Sequence, residues 1–218
     1  LKMSLNQKTI MNAIKEAKEK SKKRNFTQSV ELILNLKNID MKSPEGKIRE
    51  QIELPYSSSK KMNKLCVIAT GELAFKAKKA DANLVIGRDE LGELAGKKKE
   101  LRKIANEYDF FLAEAPLMPS VGKVLGPILG PRGKMPMPVS PTADITDLMK
   151  RYRKLISVRT RNQPILQCRV GTESMKEEEI AENVQTVLRT IEGKLKRGTK
   201  NIKAHYLKTS MGAPVKIT

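Results

Sequence analysis

The chain has 218 residues, with 43 Lys and Arg against 24 Asp and Glu, which gives a formal net charge of +19 and an isoelectric point near 9.9. This charge makes a polyanion the expected partner, and nucleic acid is the leading candidate. No run approaches the roughly 18 consecutive apolar residues of a membrane-spanning helix, and the first segment soon turns polar, so we expect a cytoplasmic protein without a membrane partner.

The first third of the chain predicts one helix followed by two strands. The helix covers residues 7–23, and its apolar residues at helical spacing are Ile10, Ile14 and Ala17. Residues 30–36 then alternate between core-type and mostly polar side chains, as in a half-buried strand. A second alternation over residues 48–54 follows a turn with proline and glycine, and we expect it to pair antiparallel with the first.

The middle third predicts a small parallel sheet covered by helices. Short, almost continuously apolar strands are predicted at residues 65–69, 83–87 and 110–115. Helix-like stretches at 72–80 and 96–108 separate them, and this alternation is typical of a βαβ unit. A helix over residues 143–155 ends the unit, with one apolar face formed by Ile145, Leu148, Met149 and Tyr152.

Residues 116–141 carry seven of the eleven prolines and four of the thirteen glycines. The prolines forbid one long helix, but the apolar residues between them are too numerous for a solvated linker. We therefore expect an ordered, docked loop with short helical pieces. A phosphate-binding loop is disfavoured, because Ile128 and Met135 stand where that motif needs glycine and Ser or Thr.

The last third predicts a strand, a long helix and a closing strand. The first strand covers residues 165–170 and the helix covers 175–196, with Ser174 and Glu177 forming a capping box at its start. The closing strand covers residues 202–209, and we expect Ile202, Ala204 and Tyr206 to share one face of it.

The two ends of the chain complement each other. Neither end supplies enough strands alone, whereas together they could form a four-stranded sheet backed by two helices. We therefore expect an α/β protein with a discontinuous α+β outer domain, residues 1–65 and 157–218, and an inserted βαβ domain, residues 66–156. The outer domain carries 27 basic and 13 acidic side chains, a net charge of +14, against 16 and 11 in the insertion. A solvated lysine surface would produce the same numbers.

Three separated strings resemble one protein family. They are PLMPSVGKVLGPILGPRGKMPMPVSP, FTQSVELILNLKNID and TSMGAPVKI. Together they resemble the large-subunit ribosomal protein one family, in its archaeal version, over essentially the whole chain. The resemblance implies an RNA-recognition-like split βαβ outer domain interrupted by a Rossmann-like domain.

The resemblance also implies partners. They are the stalk element of large-subunit ribosomal RNA, the exit-site tRNA and the protein's own mRNA, which it would repress. The resemblance implies that the protein assists the departure of deacylated tRNA. We also expect a monomer when the protein is free. These implications rest on analogy with the family alone.

The string TSMG at the end of the closing strand is the first candidate RNA contact. Short hydroxyls, a flexible thioether and a glycine at a strand edge suit the shallow minor groove of RNA with its 2′-hydroxyls. Taken alone, the pattern is more typical of a plain strand ending in which Gly212 serves backbone geometry. The resemblance favours RNA contacts by Thr209, Ser210, Met211 and Gly212.

A second group of candidates surrounds the start of the first strand. The family's matching residues imply RNA contacts by Asn25, Phe26, Ser29 and Glu31, although an aromatic residue at a helix-to-strand junction is more often part of a core. Glu31 would accept hydrogen bonds from sugar hydroxyls or bases, or orient a neighbouring cation.

Further cations are candidate contacts elsewhere in the chain. Arg159 is a predicted phosphate contact by its match to the family, and Arg161 is a weaker one, with a solvated strand edge as the alternative for both. The proline-rich segment could act as a rigid lid, or as a secondary RNA-facing surface through Lys123, Arg132 and Lys134.

Catalytic and metal-binding chemistry has little support. Cys66 and Cys168 lie alone in apolar runs and are expected to be buried structural thiols, and His205 is the single histidine, so no zinc cluster can form. We expect no enzyme, no metal and no cofactor. The alternative functions are a nucleotide-dependent enzyme that uses the βαβ insertion and a generic basic RNA chaperone.

Overall fold

The structure is a computed structural model that describes residues 6–43, 46–58 and 62–217. The helices are α1 (Gln7–Glu19), α2 (Gly71–Lys79), α3 (Arg88–Glu93), α4 (Lys98–Glu107), α5 (Met118–Val124), α6 (Gly126–Arg132), α7 (Ile145–Tyr152) and α8 (Glu177–Lys194). The strands are β1 (Ser29–Leu36), β2 (Arg49–Glu53), β3 (Leu65–Ile68), β4 (Leu84–Ile86), β5 (Phe110–Glu114), β6 (Met137–Val139), β7 (Leu155–Arg159), β8 (Ile165–Thr172), β9 (Ile202–Thr209) and β10 (Val215–Ile217). The predicted α/β class is confirmed.

The chain forms two compact units. The outer unit comprises residues 1–61 and 154–218, and the inserted unit comprises residues 62–153. The junctions lie four and three residues earlier than the sequence suggests. Leu65 already pairs with β5 of the inserted sheet, whereas Leu155 and Ile156 pair with β2 of the outer unit. Each junction therefore lies where strand pairing passes from one unit to the other.

The outer unit contains a four-stranded antiparallel sheet in the order β10-β9-β1-β8. Its helices α1 and α8 pack against each other, α1 also packs on β9 and β10, and α8 on β8. The alternate β1 residues that the sequence predicts to be buried are buried, namely Val30, Leu32, Leu34 and Leu36. They share one apolar core with the predicted stripe of α1.

Strand β2 does not pair with β1, which corrects the predicted hairpin. It pairs antiparallel with β7 in a separate two-stranded sheet, where Ile52 lies opposite Ile156. Both edges of β1 are occupied, by β8 and β9. Alternating hydrophobicity shows which face of a strand is buried but not which strand lies beside it, so the nearest strand in sequence was the wrong partner.

The last segment departs from its predicted details at two points. The capping box lies two residues later than predicted, because the backbone N–H of Lys176 donates to Glu179 Oε2 at 3.4 Å, while the Ser174 hydroxyl bonds to Thr172 Oγ1 at 3.1 Å. In β9 the pairing with β1 shifts by one residue between Asn35 and Leu36. The shift places Ile202 in the core together with Leu207, whereas Ala204 and Tyr206 face the other side.

The inserted unit contains a parallel sheet in the order β4-β3-β5-β6. The three predicted strands and the helices between them are present, whereas α3 and β6 were not predicted. Strand β6 has only three residues and contains Pro138, which fits an edge strand because proline cannot donate to a neighbour. The unit has its own apolar core, separate from that of the outer unit.

The proline-rich segment is more helical than a docked loop. A 3-10 helix covers Ala115–Leu117, and α5 and α6 follow almost without interruption. Pro119 and Pro127 occupy the first turns of these helices, where a missing N–H does no harm. Gly133 ends α6 with φ at 71°, a left-handed value that glycine adopts easily. In the part of the chain that the structure describes, no helix is long and apolar enough to cross a membrane.

Candidate nucleic-acid interface

The outer sheet brings the two predicted RNA-contacting strings together. Strand β1 begins at Ser29 and the antiparallel β9 ends at Thr209, which lies opposite Val30. The Ser210 N–H donates to Ser29 O at 3.0 Å, and the Ser29 N–H donates to Ser210 Oγ at 3.2 Å. We define the recognition surface as residues 22–27, 29, 31 and 210–212.

The recognition surface exposes two large apolar side chains. Met211 is 62% exposed and Phe26 is 53% exposed, so the core placement that aromatic burial habits favour for Phe26 is wrong. Residues 22–27, which include Asn25, are all exposed, and Ser29, Ser210 and Gly212 are half-buried. Exposed apolar groups beside the basic residues Lys22, Lys23 and Arg24 suit a partner that offers both bases and phosphates.

Thr209 does not belong to the recognition surface, which corrects its predicted RNA contact. The residue is fully buried, because it lies two positions after Leu207 on the core side of β9. Its Oγ1 is buried and has no hydrogen-bond partner among the described residues. Thr209 therefore shapes the turn instead of presenting a hydroxyl.

The turn after β9 requires glycine at position 212. The Gly212 N–H donates to Thr209 O at 3.1 Å, which closes the turn. A Cβ atom on Gly212 would overlap Thr209 Oγ1 and would lie 3.5 Å from Ser21 Cβ, just beyond the end of α1. The need for glycine at this position is therefore steric, because a Cβ would collide with the Thr209 side chain, and not a matter of an unusual backbone angle. The missing side chain is also compatible with close approach of RNA.

Glu31 lies between two cations on the sheet face opposite the helices. In the strand register, Glu31 pairs with Lys208 of β9 on one side and with Arg169 of β8 on the other. Opposite charges on neighbouring strands attract each other. This arrangement favours the interpretation that Glu31 orients neighbouring cations.

Arg159 and Arg161 belong to a cleft beside strand β8 of the outer sheet. They line this cleft of about 460 Å³ together with Ser157, Asn162, Gln163, Ile165 and Gln167, which we call the arginine cleft. Strand β8 starts beside this cleft, with Ile165 opposite Asn35, and its other end, Thr172, lies opposite Ser29. The cleft reaches Gln167, which lies only two residues, or roughly 7 Å of extended strand, before Arg169, the β8 partner of Glu31. The cleft therefore approaches the Glu31 side of the recognition surface, whereas Ser29 lies farther along β1.

Arg159 has a second arginine as its partner across the two-stranded sheet. Arg159 lies directly opposite Arg49 in the two-stranded sheet, and no acidic residue is among the residues that line the cleft. The sequence analysis did not single out Arg49, because neighbours across a sheet cannot be found without the strand pairing.

Lys134 is held against the inserted unit by two hydrogen bonds, so it is a poorer candidate for a secondary RNA contact than Lys123. Its Nζ donates to Tyr108 O at 2.6 Å and to Ala105 O at 3.0 Å, at the end of α4. Burial lowers the pKa of this ammonium group. Lys123 is exposed and Arg132 is half-buried, so these two remain candidate secondary contacts on the inserted unit.

The cysteines are buried structural thiols, as predicted. Loss of hydration raises the pKa of Cys66 and of Cys168 to about 12, so both stay protonated near neutral pH. Burial also lowers the pKa of His205. Among the described residues, no group of three His, Cys, Asp or Glu side chains could hold a metal ion.

Two residues beside the recognition surface were missed by the sequence analysis. Gln28 is 1% exposed and Glu173 is half-buried, and both are hydrogen-bonded to residues that form the surface or support it. A single glutamine before a strand gives no periodic signal. Its importance follows from contacts with residues that are distant in sequence.

Comparison with known proteins assigns the chain to a family. The sequence pattern of the Ribosomal protein L1p/L10e family matches residues 6–213. The chain is 47% identical to large ribosomal subunit protein uL1 of Methanothermobacter thermautotrophicus, over 97% of this chain and 99% of the relative. It is 46% identical to the protein of the same name from Pyrococcus abyssi, over 99% and 98%, and 47% identical to that of Hyperthermus butylicus, over 95% of each. The chain therefore belongs to the ribosomal protein L1p/L10e family, whose members are structural proteins of the ribosome and not enzymes.

Proposed function

We propose that the protein is a structural component of the large ribosomal subunit and binds a folded element of large-subunit ribosomal RNA through the recognition surface. The names of its relatives support the assembly. A net charge of +19 supports a polyanionic ligand. The main supporting observation is the Met211 side chain, which is 62% exposed. It lies on a turn that two hydrogen bonds between Ser29 and Ser210 hold against the start of β1.

The recognition surface would read RNA mainly by shape. A folded RNA element presents 2′-hydroxyls in a wide, shallow minor groove, which short polar groups and a close backbone can reach. The half-buried Ser210 and Gly212 give the turn a low profile, and Met211 provides an apolar contact with sugar or base edges. Lys22, Lys23 and Arg24 would bind phosphates, which strengthens binding without adding sequence preference.

The arginine cleft would bind a second stretch of RNA. Its guanidinium groups and the amides of Asn162 and Gln163 suit phosphate and sugar oxygens. The cleft extends from its arginines to Gln167, two residues before the β8 partner of Glu31, so it could bind a stretch of RNA that continues from the recognition surface. Exit-site tRNA, whose release the protein would assist, is the second ligand that the family resemblance suggests, and repression through its own mRNA would reuse the recognition surface.

The proposal is tested with Met211→Asp and a matched control. We expect Met211→Asp to weaken binding to transcribed large-subunit ribosomal RNA at least about tenfold, which corresponds to about 1.4 kcal/mol, because a carboxylate would face RNA phosphates. The control is Met62→Asp, since Met62 is 63% exposed and lies outside the recognition surface. Footprinting of the RNA would locate the bound element. Equal affinity of both variants would remove the recognition surface from the proposal.

The alternative functions make different predictions. A nucleotide-dependent enzyme would bind ATP or NAD tightly when purified, but the segment that resembled a phosphate loop forms α5 and α6. A generic RNA chaperone would lose its preference among RNAs once salt is raised, because its affinity would be purely electrostatic. Retained discrimination between ribosomal RNA and an unrelated folded RNA at raised salt favours the proposed function.

A further inference from the structure

Gln28 is a buried polar residue next to the recognition surface. It is 1% exposed, and it separates the basic residues 22–24 from the start of β1. A buried primary amide must have its donors and acceptor satisfied, since an unpaired buried polar group is unfavourable. The partners of Gln28 therefore show which parts of the chain it holds together.

The amide of Gln28 connects three segments that are distant in sequence. Its Nε2 donates to Ser21 Oγ at 2.8 Å and to Lys22 O at 3.3 Å, both just after α1. Its Oε1 accepts from the Met211 N–H at 3.1 Å. Its Nε2 also lies 3.4 Å from Glu173 Oε2, so the carboxylate after β8 is the third partner.

The backbone of Gln28 is held by the same carboxylate. The Gln28 N–H donates to Glu173 Oε1 at 3.0 Å, and the Glu173 N–H donates to Gln28 O at 2.9 Å. Acceptors lie on the Nε2 side of the amide and a donor lies on the Oε1 side. This pattern fixes the orientation of the amide, because a flipped group would place its oxygen against the Lys22 carbonyl and the Glu173 carboxylate, which can only accept hydrogen bonds.

The hydrogen bond to Met211 completes the support of the turn. The N–H groups of Ser210 and Gly212 are bound by Ser29 O and Thr209 O, respectively. The N–H of Met211 is bound by Gln28 alone among the described residues. Without that acceptor, Met211 would lose the hydrogen bond that connects the turn, through Gln28, to Ser21 and Glu173.

We propose that Gln28 is the positioning residue of the recognition surface. Its amide, oriented by Glu173 and Ser21, sets the position of Met211 relative to the basic residues 22–24 so that both meet one RNA surface together. This inference rests on the proposed function. It goes further by assigning RNA affinity to a residue that is itself hidden from RNA.

The main test compares Gln28→Met with Gln51→Met. Methionine keeps the length of glutamine but offers neither donor nor acceptor of comparable strength, and Gln51 is an exposed glutamine in the same unit. We expect Gln28→Met to weaken binding to transcribed ribosomal RNA at least about tenfold, with an unchanged slope of log affinity against log salt, because the phosphate contacts remain. The control should bind like the parent chain.

Hydrogen exchange separates positioning from a loss of overall stability. In Gln28→Met, the Met211 amide should exchange at least about tenfold faster, while the amide of Leu32 in the centre of β1 keeps its protection. Ser21→Ala removes one acceptor of Nε2 and should shift both readouts in the same direction by a smaller factor. If Gln28→Met does not fold, Ser21→Ala alone still tests whether the hydrogen bonds of Gln28 support the turn.

A rescue experiment tests the role of the amide directly. Gln28→Glu places a second carboxylate against Glu173 and should weaken RNA binding more than Gln28→Met. Adding Glu173→Gln restores one amide facing one carboxylate, and the double variant should recover part of the lost affinity. No recovery, with the double variant folded, would overturn the assignment of Glu173 as the orienting partner.

The outcomes distinguish this inference from the proposed function. If Met211→Asp weakens binding and Gln28→Met and Ser21→Ala leave both affinity and the Met211 exchange rate unchanged, the positioning role is wrong and the recognition surface stands. If Met211→Asp binds normally, the proposed function itself fails. Faster exchange at Met211 without any change in affinity also overturns the inference, because the turn would then not need this support to bind RNA.

Discussion

Thr209→Val tests whether the hydroxyl of Thr209 has any role in RNA binding. The family resemblance implies an RNA contact, whereas the structure buries the residue completely and leaves Oγ1 without a partner among the described residues. Valine has nearly the same shape and no polar atom. The substitution should therefore stabilise the protein and leave RNA affinity unchanged.

The expected magnitude follows from two contributions. Removing an unpaired buried hydroxyl recovers roughly 1–3 kcal/mol of desolvation, and the additional buried methyl group contributes about 0.8 kcal/mol. Oγ1 lies close to Gly212, and crowding there by a methyl group offsets part of this gain. We expect a net increase of about 1–2 kcal/mol in the free energy of unfolding, and a rise in Tm of roughly 2–8 °C.

Thermal and urea unfolding of the free protein measure the stability, and titration with ribosomal RNA measures the affinity. Thr209→Ser is the matched control, because it keeps the hydroxyl and removes a buried methyl group, so it should destabilise the protein by about 1 kcal/mol. A lower Tm for Thr209→Val would mean that the hydroxyl is hydrogen-bonded. An unchanged fold with tenfold weaker RNA binding would restore Thr209 as a direct contact and refute the reasoning from burial.

Two further predictions concern the larger architecture. Replacing residues 62–153 by a short glycine–serine linker should leave a folded chain that binds ribosomal RNA, because the two units have separate apolar cores; circular dichroism and RNA titration check this, and a chain that cannot fold would contradict the independence of the outer core. Substituting both Arg159 and Arg161 by Gln removes two possible phosphate contacts. The slope of log RNA affinity against log salt concentration should become shallower by roughly 1–2, while the element bound by the recognition surface stays bound. A loss of that specific binding would mean that the two surfaces act on one RNA segment.

The sequence predicts the elements of this fold better than their neighbours. The alternation from Val30 to Leu36 follows directly from a sheet with one buried face, and it is confirmed residue by residue. The partner of β2 could not be found in the same way, because β7 lies about 100 residues later and no local pattern encodes the pairing. The one-residue shift opposite Asn35 changed the buried face of β9 for the same reason.

The candidate site was predictable where residues are exposed and adjacent to a motif. Met211 and Phe26 fit that description, and both are exposed. Thr209 was misplaced because the family string was treated as one contact surface, although counting by twos from Leu207 would have placed it in the core. Gln28 could not be found, because its partners Ser21, Glu173 and Met211 come together only in three dimensions.

The strand order of the outer sheet has a consequence for synthesis of the chain. Strand β1 is made early but lies between β8 and β9, which are encoded more than a hundred codons later. The inserted unit is continuous and can fold while the first segment still waits for its neighbours. A nascent chain therefore cannot assemble the complete recognition surface until residues 202–212 have emerged from the ribosome.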